Sequence, residues 1–263
     1  MKYLATDLDG TILQKDQTIN KEDIEALVRF KEAGNTIIVS TGRGLEGIYR
    51  AFENYPQIKY DYIVACNGAI VVDSKNNIIY NNQINSDLAI DLFKELSKNE
   101  SMVIHFEDET SSFLVKPNHN RFDKIIKSYE GQFNGILHIN DVLEGKRNYP
   151  IISLIAKDED INIAEQAKTL VLEKYGQDLE VYRNQHFVDI AAKNCSKGNG
   201  INKLTEILGV DHKNLYVIGD SYNDLSMFEI TENSYTFTYA EDGVKFHANN
   251  IVNNAAELIN QLI

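Results

Sequence analysis

The sequence predicts an α/β fold: a Rossmann-like parallel sheet interrupted by an inserted α+β segment. Two observations support this. Four short and continuously apolar runs recur along the chain, and polar residues and a helical pattern follow each of the first, second and fourth. Continuous apolar runs, unlike alternating ones, are typical of parallel strands covered by helices on both faces. Between the third and fourth runs, the pattern changes to shorter strands interleaved with helices.

The first strand and the first helix are the opening elements of this pattern. "YLAT" is a short apolar run that leads directly into Asp7. The following "NKEDIEALVRFKEAGN" places Ile24, Leu27 and Val28 at helical spacing, which predicts one apolar helix face. Asn20 suits the start of that helix as a cap, and a glycine near residue 34 suits its end.

The second, third and fourth strands are predicted from "NTIIVSTGR", "DYIVACNGA" and "NLYVIGDSYNDLSMF". A helix with one apolar face is expected to start near Gly42. Ligands of open parallel sheets gather at the carboxyl ends of the strands. The polar residues after the first, second and fourth strands are therefore expected to share one site.

The middle of the chain is predicted to be an inserted α+β domain. Its short strands are "MVIHF", "SFLV", "PIISLIA" and "LEVYR", and the core is expected to resume at "HFVDIA". The expected helices lie at 89–96, 122–129 and 163–175. These boundaries give a core of residues 1–82 and 186–263 and an insert of residues 83–185.

The composition limits the class of protein. An apolar content of 43% and a charged content of 25% are ordinary for a water-soluble chain. The net charge of −13 argues against nucleic acid or an anionic membrane as a partner. No apolar run is long enough to span a bilayer, and Asp7 and Asp9 interrupt any signal-peptide core. With two cysteines, the chain is expected in the reducing cytoplasm.

Several short segments contain residues that are suited to phosphate chemistry. In "DLDGT" at 7–11, two carboxylates face a common ligand or form a simple Asx turn. "STGR" at 40–43 offers a hydroxyl and backbone N–H groups to an anion, or it merely caps a helix. "SKG" at 196–198 contains a lysine that is either a phosphate contact or a solvated surface residue.

Four segments together resemble the motifs of the haloacid dehalogenase (HAD)-like hydrolases. They are "DLDGT" at 7–11, "STGR" at 40–43, "SKGNGINKL" at 196–204 and "GDSYNDLSM" at 219–227. Their order, with the insert between the second and third, is similar to the Cof-type (subfamily IIB) sugar-phosphatase branch. The resemblance implies the HAD fold with an α+β cap that closes over the site and reads the leaving group.

The resemblance also implies a role for each motif residue. Asp7 would attack phosphorus, and Asp9 would act as acid and then as base. Mg²⁺ would be bound by Asp7, the backbone carbonyl of Asp9, and Asp220. Asp224 and Arg43 would hold these groups in place from the second shell of residues. For Arg43 two partners stay open, a core carboxylate and the substrate. The implied phosphate-binding positions are Leu8, Thr41, Gly42, Lys197 and Asn223.

The function expected from the sequence is a Mg²⁺-dependent phosphatase for small phosphorylated metabolites, sugar phosphates in particular. Two alternatives stay open: a phosphotransferase or mutase that uses the same aspartates, and a non-catalytic phosphosugar-binding or phospho-receiver protein. A built-in acid/base at Asp9 argues against a receiver, which gains nothing from hydrolysing its own signal. The expected state is a monomer or a weak homo-oligomer.

Overall fold

The structure is a computed structural model and describes residues 1–108, 111–116 and 135–263. The chain divides into two compact units. The first unit comprises Met1–Arg43, Gly47–Asn81 and Ser196–Ile263, and the second comprises Gly44–Glu46 and Asn82–Cys195. Among the described residues, no helix combines the length and the apolar character that crossing a membrane requires.

Strands and helices are numbered here in chain order within the described residues. The strands are β1 (Tyr3–Thr6), β2 (Thr36–Ser40), β3 (Tyr62–Ala65), β4 (Ile70–Asp73), β5 (Ile78–Asn81), β6 (Met102–Glu107), β7 (Ser112–Lys116), β8 (Gly135–His138), β9 (Ile151–Ala156), β10 (Leu179–Asn184), β11 (Phe187–Ala192), β12 (Leu215–Ile218), β13 (Ser234–Phe237) and β14 (Asn250–Val252). The helices are α1 (Lys21–Glu32), α2 (Leu45–Phe52), α3 (Ser86–Leu96), α4 (Ile139–Glu144), α5 (Ile161–Tyr175), α6 (Lys197–Leu208), α7 (Leu225–Phe228), α8 (Asp242–Lys245) and α9 (Ala255–Leu262).

The first unit contains an eight-stranded sheet with the order β14-β13-β12-β1-β2-β3-β4-β5. The six strands from β14 to β3 are parallel, which confirms the predicted α/β fold with a parallel-rich sheet. At one edge of this sheet, β4 and β5 run antiparallel. The connection from β3 to β4 is only four residues long, too short for the crossover that a parallel strand needs.

Helix α1 shows why the predicted apolar stripe is shifted. Its buried face contains Ala26, Leu27 and Phe30, whereas Ile24 and Val28 are only partly buried. The helix packs against α9 as well as β2, so the side that faces α9 is also covered. A sequence pattern does not show that second neighbour, and the predicted stripe at Ile24, Leu27 and Val28 is therefore only partly right.

Helix α2 begins at Leu45, three residues after the expected start near Gly42. The backbone before it is already bonded to the segment that follows β3. The Thr41 carbonyl accepts from the Asn67 N–H over 3.1 Å, and the Arg43 carbonyl accepts from the Cys66 N–H over 3.0 Å. Because these carbonyls are used outside the helix, residues 41–43 form a turn, and the expectation that Thr41 and Gly42 open a helix is wrong.

The second unit contains a six-stranded sheet with the order β10-β11-β9-β6-β7-β8. Its pairs are antiparallel except β7 with β8. The expectation that "HFVDIA" returns the chain to the core sheet is wrong, because β11 pairs with β9 and β10 in this sheet. A two-residue turn joins β10 to β11 as a hairpin, and an apolar run alone does not show which sheet it joins.

Two helices of the second unit start earlier than expected because a polar side chain caps each of them. The Asn85 side chain accepts from the Leu88 N–H at the start of α3, and the Asp160 side chain does the same for the Asn162 N–H at the start of α5. The helix expected at 122–129 lies outside the described residues.

Candidate active site

The edge of the first sheet where its parallel strands end brings the predicted site residues together. The Asp7 N–H donates to the Ile218 carbonyl over 2.9 Å, which ties the end of β1 to the end of β12. In register, Thr6 pairs with Val39 of β2, so the turn at residues 41–43 follows at the same edge. Asp7, Thr41 and Asp220 therefore follow the ends of neighbouring strands and lie at the same edge of the sheet.

Lys197 lies at the start of α6 with its ammonium group inside the protein. The Ser196 side chain caps this helix by accepting from the Asn199 N–H. The Lys197 Nζ lies 2.6 Å from an Asp7 oxygen and 2.6 Å from an Asp224 oxygen, and the residue is only 1% exposed. Burial by itself lowers the pKa of Lys197, but the charges of Asp224 and Asp7 outweigh it and raise that pKa well above its usual range.

Asp7, Asp220 and Asp224 form an acidic cluster whose candidate ligand oxygens all lie within 4.8 Å of one another. Burial raises the pKa of Asp7 well above its ordinary value, although Lys197 opposes the shift. Burial, followed by the charge of Asp224, raises the pKa of Asp220 to about 7. The Lys197 ammonium pairs with two of these three carboxylates, so the cluster holds more acidic groups than this lysine can neutralise.

Oxygen-rich clusters of this kind fit a hard divalent cation. Asp220 accepts a side-chain hydrogen bond from the Thr11 hydroxyl over 3.3 Å. Burial first, and then mutual repulsion, raise the pKa values of Asp7 and Asp220, and a cation beside both carboxylates would favour their charged forms. The donor set and the uncompensated charge therefore both suit a divalent metal ion.

Asp224 is fully buried, and its two oxygens accept hydrogen bonds from other groups of the protein. One oxygen accepts from Lys197, and the other accepts from the backbone N–H groups of Asp220 and Ser221 over 2.9 and 3.0 Å. Asp224 lies in a short 3-10 turn and completes a capping box with Ser221. This geometry fixes both the ammonium of Lys197 and the backbone of Asp220.

Asp9 points to a different partner from Asp7. β1 ends at Thr6, so the strand alternation that would align the two carboxylates does not extend to them. The Arg43 guanidinium binds Asp9 with two hydrogen bonds, of 2.7 and 2.5 Å, and one of its nitrogens also donates to Gln17 over 2.9 Å. Of the two partners considered for Arg43, the structure shows a carboxylate.

The expected phosphate-binding positions lie in the loops around this cluster. Thr41 is buried, its hydroxyl accepts from the Arg43 N–H over 3.2 Å, and Gly42 lies between them. The Leu8 side chain is buried and its carbonyl accepts from the Leu13 N–H, which closes a tight turn. The Asn223 amide lies 3.5 Å from the Asn67 side-chain oxygen, so both asparagines reach the same region.

Sequence reasoning missed two residues that contact this region, Thr11 and Tyr239. Thr11 belongs to the "DLDGT" segment, so its nearness to the site was available from the motif itself. The Tyr239 hydroxyl donates a hydrogen bond to the Gly10 carbonyl over 2.6 Å. The two residues are 229 positions apart in the sequence. No sequence pattern marks that contact.

Comparisons with known proteins identify the family. The profile of the family described as haloacid dehalogenase-like hydrolase matches residues 4–258. The 5-amino-6-(5-phospho-D-ribitylamino)uracil phosphatase YwtE of Bacillus subtilis is 27% identical over 100% of this chain and 98% of its own. A solved haloacid dehalogenase-like hydrolase from B. subtilis superposes with a TM-score of 0.84 at 21% identity, covering 100% of both chains.

A solved HAD subclass IIB sugar phosphatase, BT4131, superposes with a TM-score of 0.81 at 19% identity, covering 100% of this chain and 99% of that one. The family match confirms the resemblance to the HAD-like hydrolases, and relatives such as YwtE, which are themselves phosphatases, confirm the prediction of a phosphatase-type enzyme. The chain belongs to the haloacid dehalogenase-like hydrolases.

Proposed function

We propose that this protein is a Mg²⁺-dependent phosphatase that hydrolyses small phosphomonoesters, sugar phosphates foremost, through an aspartyl-phosphate on Asp7. The observation that carries the proposal is the Lys197 ammonium, bound 2.6 Å from both Asp7 and Asp224 beside Asp220. A buried lysine in that place orients the Asp7 carboxylate and offsets part of its charge.

In the proposed reaction, an Asp7 oxygen forms a bond to phosphorus as the bond from phosphorus to the ester oxygen breaks. Asp9 gives its proton to that departing oxygen. A water molecule then attacks phosphorus, Asp9 takes the water's proton, and the bond to Asp7 breaks to release inorganic phosphate. Asp7, the Asp9 carbonyl and Asp220 would hold Mg²⁺. The bound ion would neutralise negative charge on Asp7 and on the phosphate group.

The supporting residues have a clear place in this chemistry. Thr41, Gly42, Asn223 and the backbone at Leu8 would donate hydrogen bonds to phosphate oxygens. Asp9 starts the reaction bound to Arg43, so its proton transfer to the leaving group requires this pair to loosen when substrate arrives. Asp224 would keep Lys197 charged and in place.

The same chemistry indicates the substrate and the cellular location that we propose for the protein. The substrate would be a small phosphorylated metabolite, and the second unit would contact its leaving group as a cap. Sugar phosphates are favoured because the protein shares its fold with the subclass IIB sugar phosphatase BT4131. The net charge of −13 disfavours nucleic acid, and a cytoplasmic, monomeric or weakly oligomeric protein fits these features.

A phosphate-release panel tests the proposal. Purified protein is incubated with sugar phosphates, pyridoxal phosphate, flavin mononucleotide and an aryl phosphate, with Mg²⁺ and with a chelator. We expect release with Mg²⁺ and its loss with chelator. Asp7→Asn should lower turnover by ~10³-fold or more, whereas the matched control Asp16→Asn, on an exposed turn, should keep it.

The outcome also separates the competing functions. An isomeric phosphate ester in place of free phosphate would indicate a mutase or phosphotransferase. Binding of sugar phosphates without turnover under any divalent metal would indicate a binding or receiver protein. Near-normal release by Asp7→Asn would remove Asp7 from the proposed role.

A further inference from the structure

Tyr239 connects the strand β13 region to the turn that contains Asp9. Its hydroxyl donates to the Gly10 carbonyl over 2.6 Å. Its ring stacks on the buried Phe237 with a centroid distance of 4.8 Å and an interplanar angle of 9°. Tyr239 as a whole is 57% exposed, so water competes for its hydroxyl, and yet the hydroxyl donates to a backbone carbonyl. The stack fixes the direction in which the hydroxyl points.

Gly10 is the residue through which this contact reaches the site. Its φ of +79° lies in the left-handed region, which favours glycine. A Cβ at this position would lie 2.5 Å from an Asp220 oxygen, so the Gly10 backbone packs directly on that carboxylate. The Gly10 N–H donates to the Leu13 carbonyl over 2.9 Å. The turn therefore contacts Asp220 at its Cα and Tyr239 at its carbonyl.

We propose that Tyr239 is a positioning residue, whose hydroxyl fixes the Gly10 carbonyl and thereby places the Asp9 carboxylate and the Asp220 contact. Arg43 holds the Asp9 side chain, whereas the backbone hydrogen bonds found within residues 8–13 of the described structure join positions no more than five residues apart. The hydrogen bond from the Tyr239 hydroxyl, whose ring is held by its stack on Phe237, restricts the remaining movement of the turn backbone. The kinetic part of this inference rests on the proposed function, and the exchange part does not.

The test replaces Tyr239 by phenylalanine, which keeps the ring stack and removes only the hydroxyl. The matched control is Tyr235→Phe in β13, a half-buried tyrosine of the same unit. Amide hydrogen exchange is measured on peptides that cover residues 8–13, without substrate. We expect Tyr239→Phe to speed exchange there and to leave the strands around Ile38 and Val64 unchanged.

The kinetic measurement compares kcat/KM for an alkyl phosphate and an aryl phosphate with Mg²⁺ present. An alkyl leaving group depends on proton donation by Asp9 far more than an aryl one does. We expect Tyr239→Phe to lower kcat/KM for the alkyl ester by about tenfold to hundredfold and for the aryl ester by clearly less. A merely structural role would lower both equally.

Two results would overturn the proposal. One is unchanged exchange at residues 8–13 together with an unchanged ratio of alkyl to aryl kcat/KM. The other is an equal rise of exchange throughout the first unit, which would mean that the hydroxyl stabilises the whole fold. A wild-type protein that hydrolyses neither ester would contradict the proposed function, while the exchange result would still decide whether Tyr239 fixes the turn.

Discussion

Lys197 shows at the residue scale how one buried cation organises the candidate site. Its ammonium is shared by Asp7 and Asp224, and the latter also binds the backbone N–H groups of Asp220 and Ser221. A buried charge is costly to leave without a partner, so each of these groups depends on the others. The same contacts that fix the Asp7 carboxylate thus also stabilise the first unit.

Lys197→Met is therefore expected to destabilise the protein as well as inactivate it. Removal of the ammonium leaves two buried carboxylates without a cation, which costs about 3–5 kcal/mol of the free energy of unfolding. Urea denaturation followed by circular dichroism measures the loss. The added change Asp224→Asn should recover part of the stability, because it removes one of the unpaired charges, without restoring turnover.

The matched control is Lys203→Met on the same helix. Lys203 is about half exposed and pairs with Glu206 over 3.0 Å, so its loss should change stability by no more than about 0.5 kcal/mol. If Lys197→Met unfolds with the same midpoint as Lys203→Met, the buried network does not stabilise the fold as argued.

The sequence predicted the position of a site residue where that residue directly follows a strand of the sheet. Asp7, Thr41 and Asp220 follow strands of one parallel sheet, and such positions meet at one edge. The partner of Arg43 stayed open, because a guanidinium reaches several carboxylates. Tyr239 was missed, because its contact with Gly10 depends on the path of the chain after β13, which no local pattern defines.

At the scale of elements, Asp23 links helix α1 to helix α9. Its carboxylate is 1% exposed and accepts from the Ala256 N–H over 2.8 Å, near the start of α9. The Asn254 side chain caps the same helix by accepting from Glu257. Burial raises the pKa of Asp23 above its ordinary value of 3.8, in spite of the hydrogen bond from Ala256.

That shift predicts how stability depends on pH. A carboxyl with a raised folded pKa contributes stability that is present below pH 3.8 and is lost as pH rises through the folded value. Asp23→Asn keeps an acceptor for Ala256 and avoids the buried charge. We expect its urea midpoint to exceed that of the wild type at pH 7 and the difference to shrink as the pH falls toward 4.

Asp16→Asn provides a control, because the pKa of Asp16 is shifted in the opposite direction from that of Asp23. Hydrogen bonds from Thr18 lower the pKa of Asp16, so its contribution to stability is present at neutral pH and is lost in acid. The asparagine variant should therefore be no more stable than the wild type at pH 7. A midpoint for Asp23→Asn that falls below the wild type at pH 7 would contradict the burial argument.

Helices and strands were predicted well in kind and less well in their boundaries. Side-chain caps at Asn85 and Asp160 start α3 and α5 earlier than their apolar patterns indicate. Helix α2 starts later, because carbonyls at residues 41 and 43 bond to the segment after β3. The antiparallel edge of β4 and β5 and the place of β11 depend on which strands pair, and apolar runs do not show pairing.

At the scale of the whole molecule, each compact unit contains one buried cysteine. Cys66 belongs to the first unit and Cys195 to the second, and each is 1% exposed. Burial raises the pKa of Cys195 to about 12. Because the thiolate is the reactive form, a thiol that is both buried and protonated reacts only when its unit opens.

The two thiols are thus expected to report on the opening of the two units separately. A disulfide reagent at pH 8 should label neither thiol in the folded protein and both in urea, with mass spectrometry assigning each site. Single variants Cys66→Ala and Cys195→Ala show which unit opens at a given urea concentration. Rapid labelling of Cys195 in the folded protein would contradict its burial and its raised pKa.

Asp7 is the proposed acceptor of the phosphoryl group. The direct measurement is rapid quenching during turnover with Mg²⁺, followed by borohydride, which reduces an acyl phosphate but not a free carboxylate. Mass spectrometry should then find homoserine in place of aspartate at position 7, and not at positions 9, 220 or 224. Active turnover with no modification at Asp7, or with the modification at another aspartate, would contradict the account.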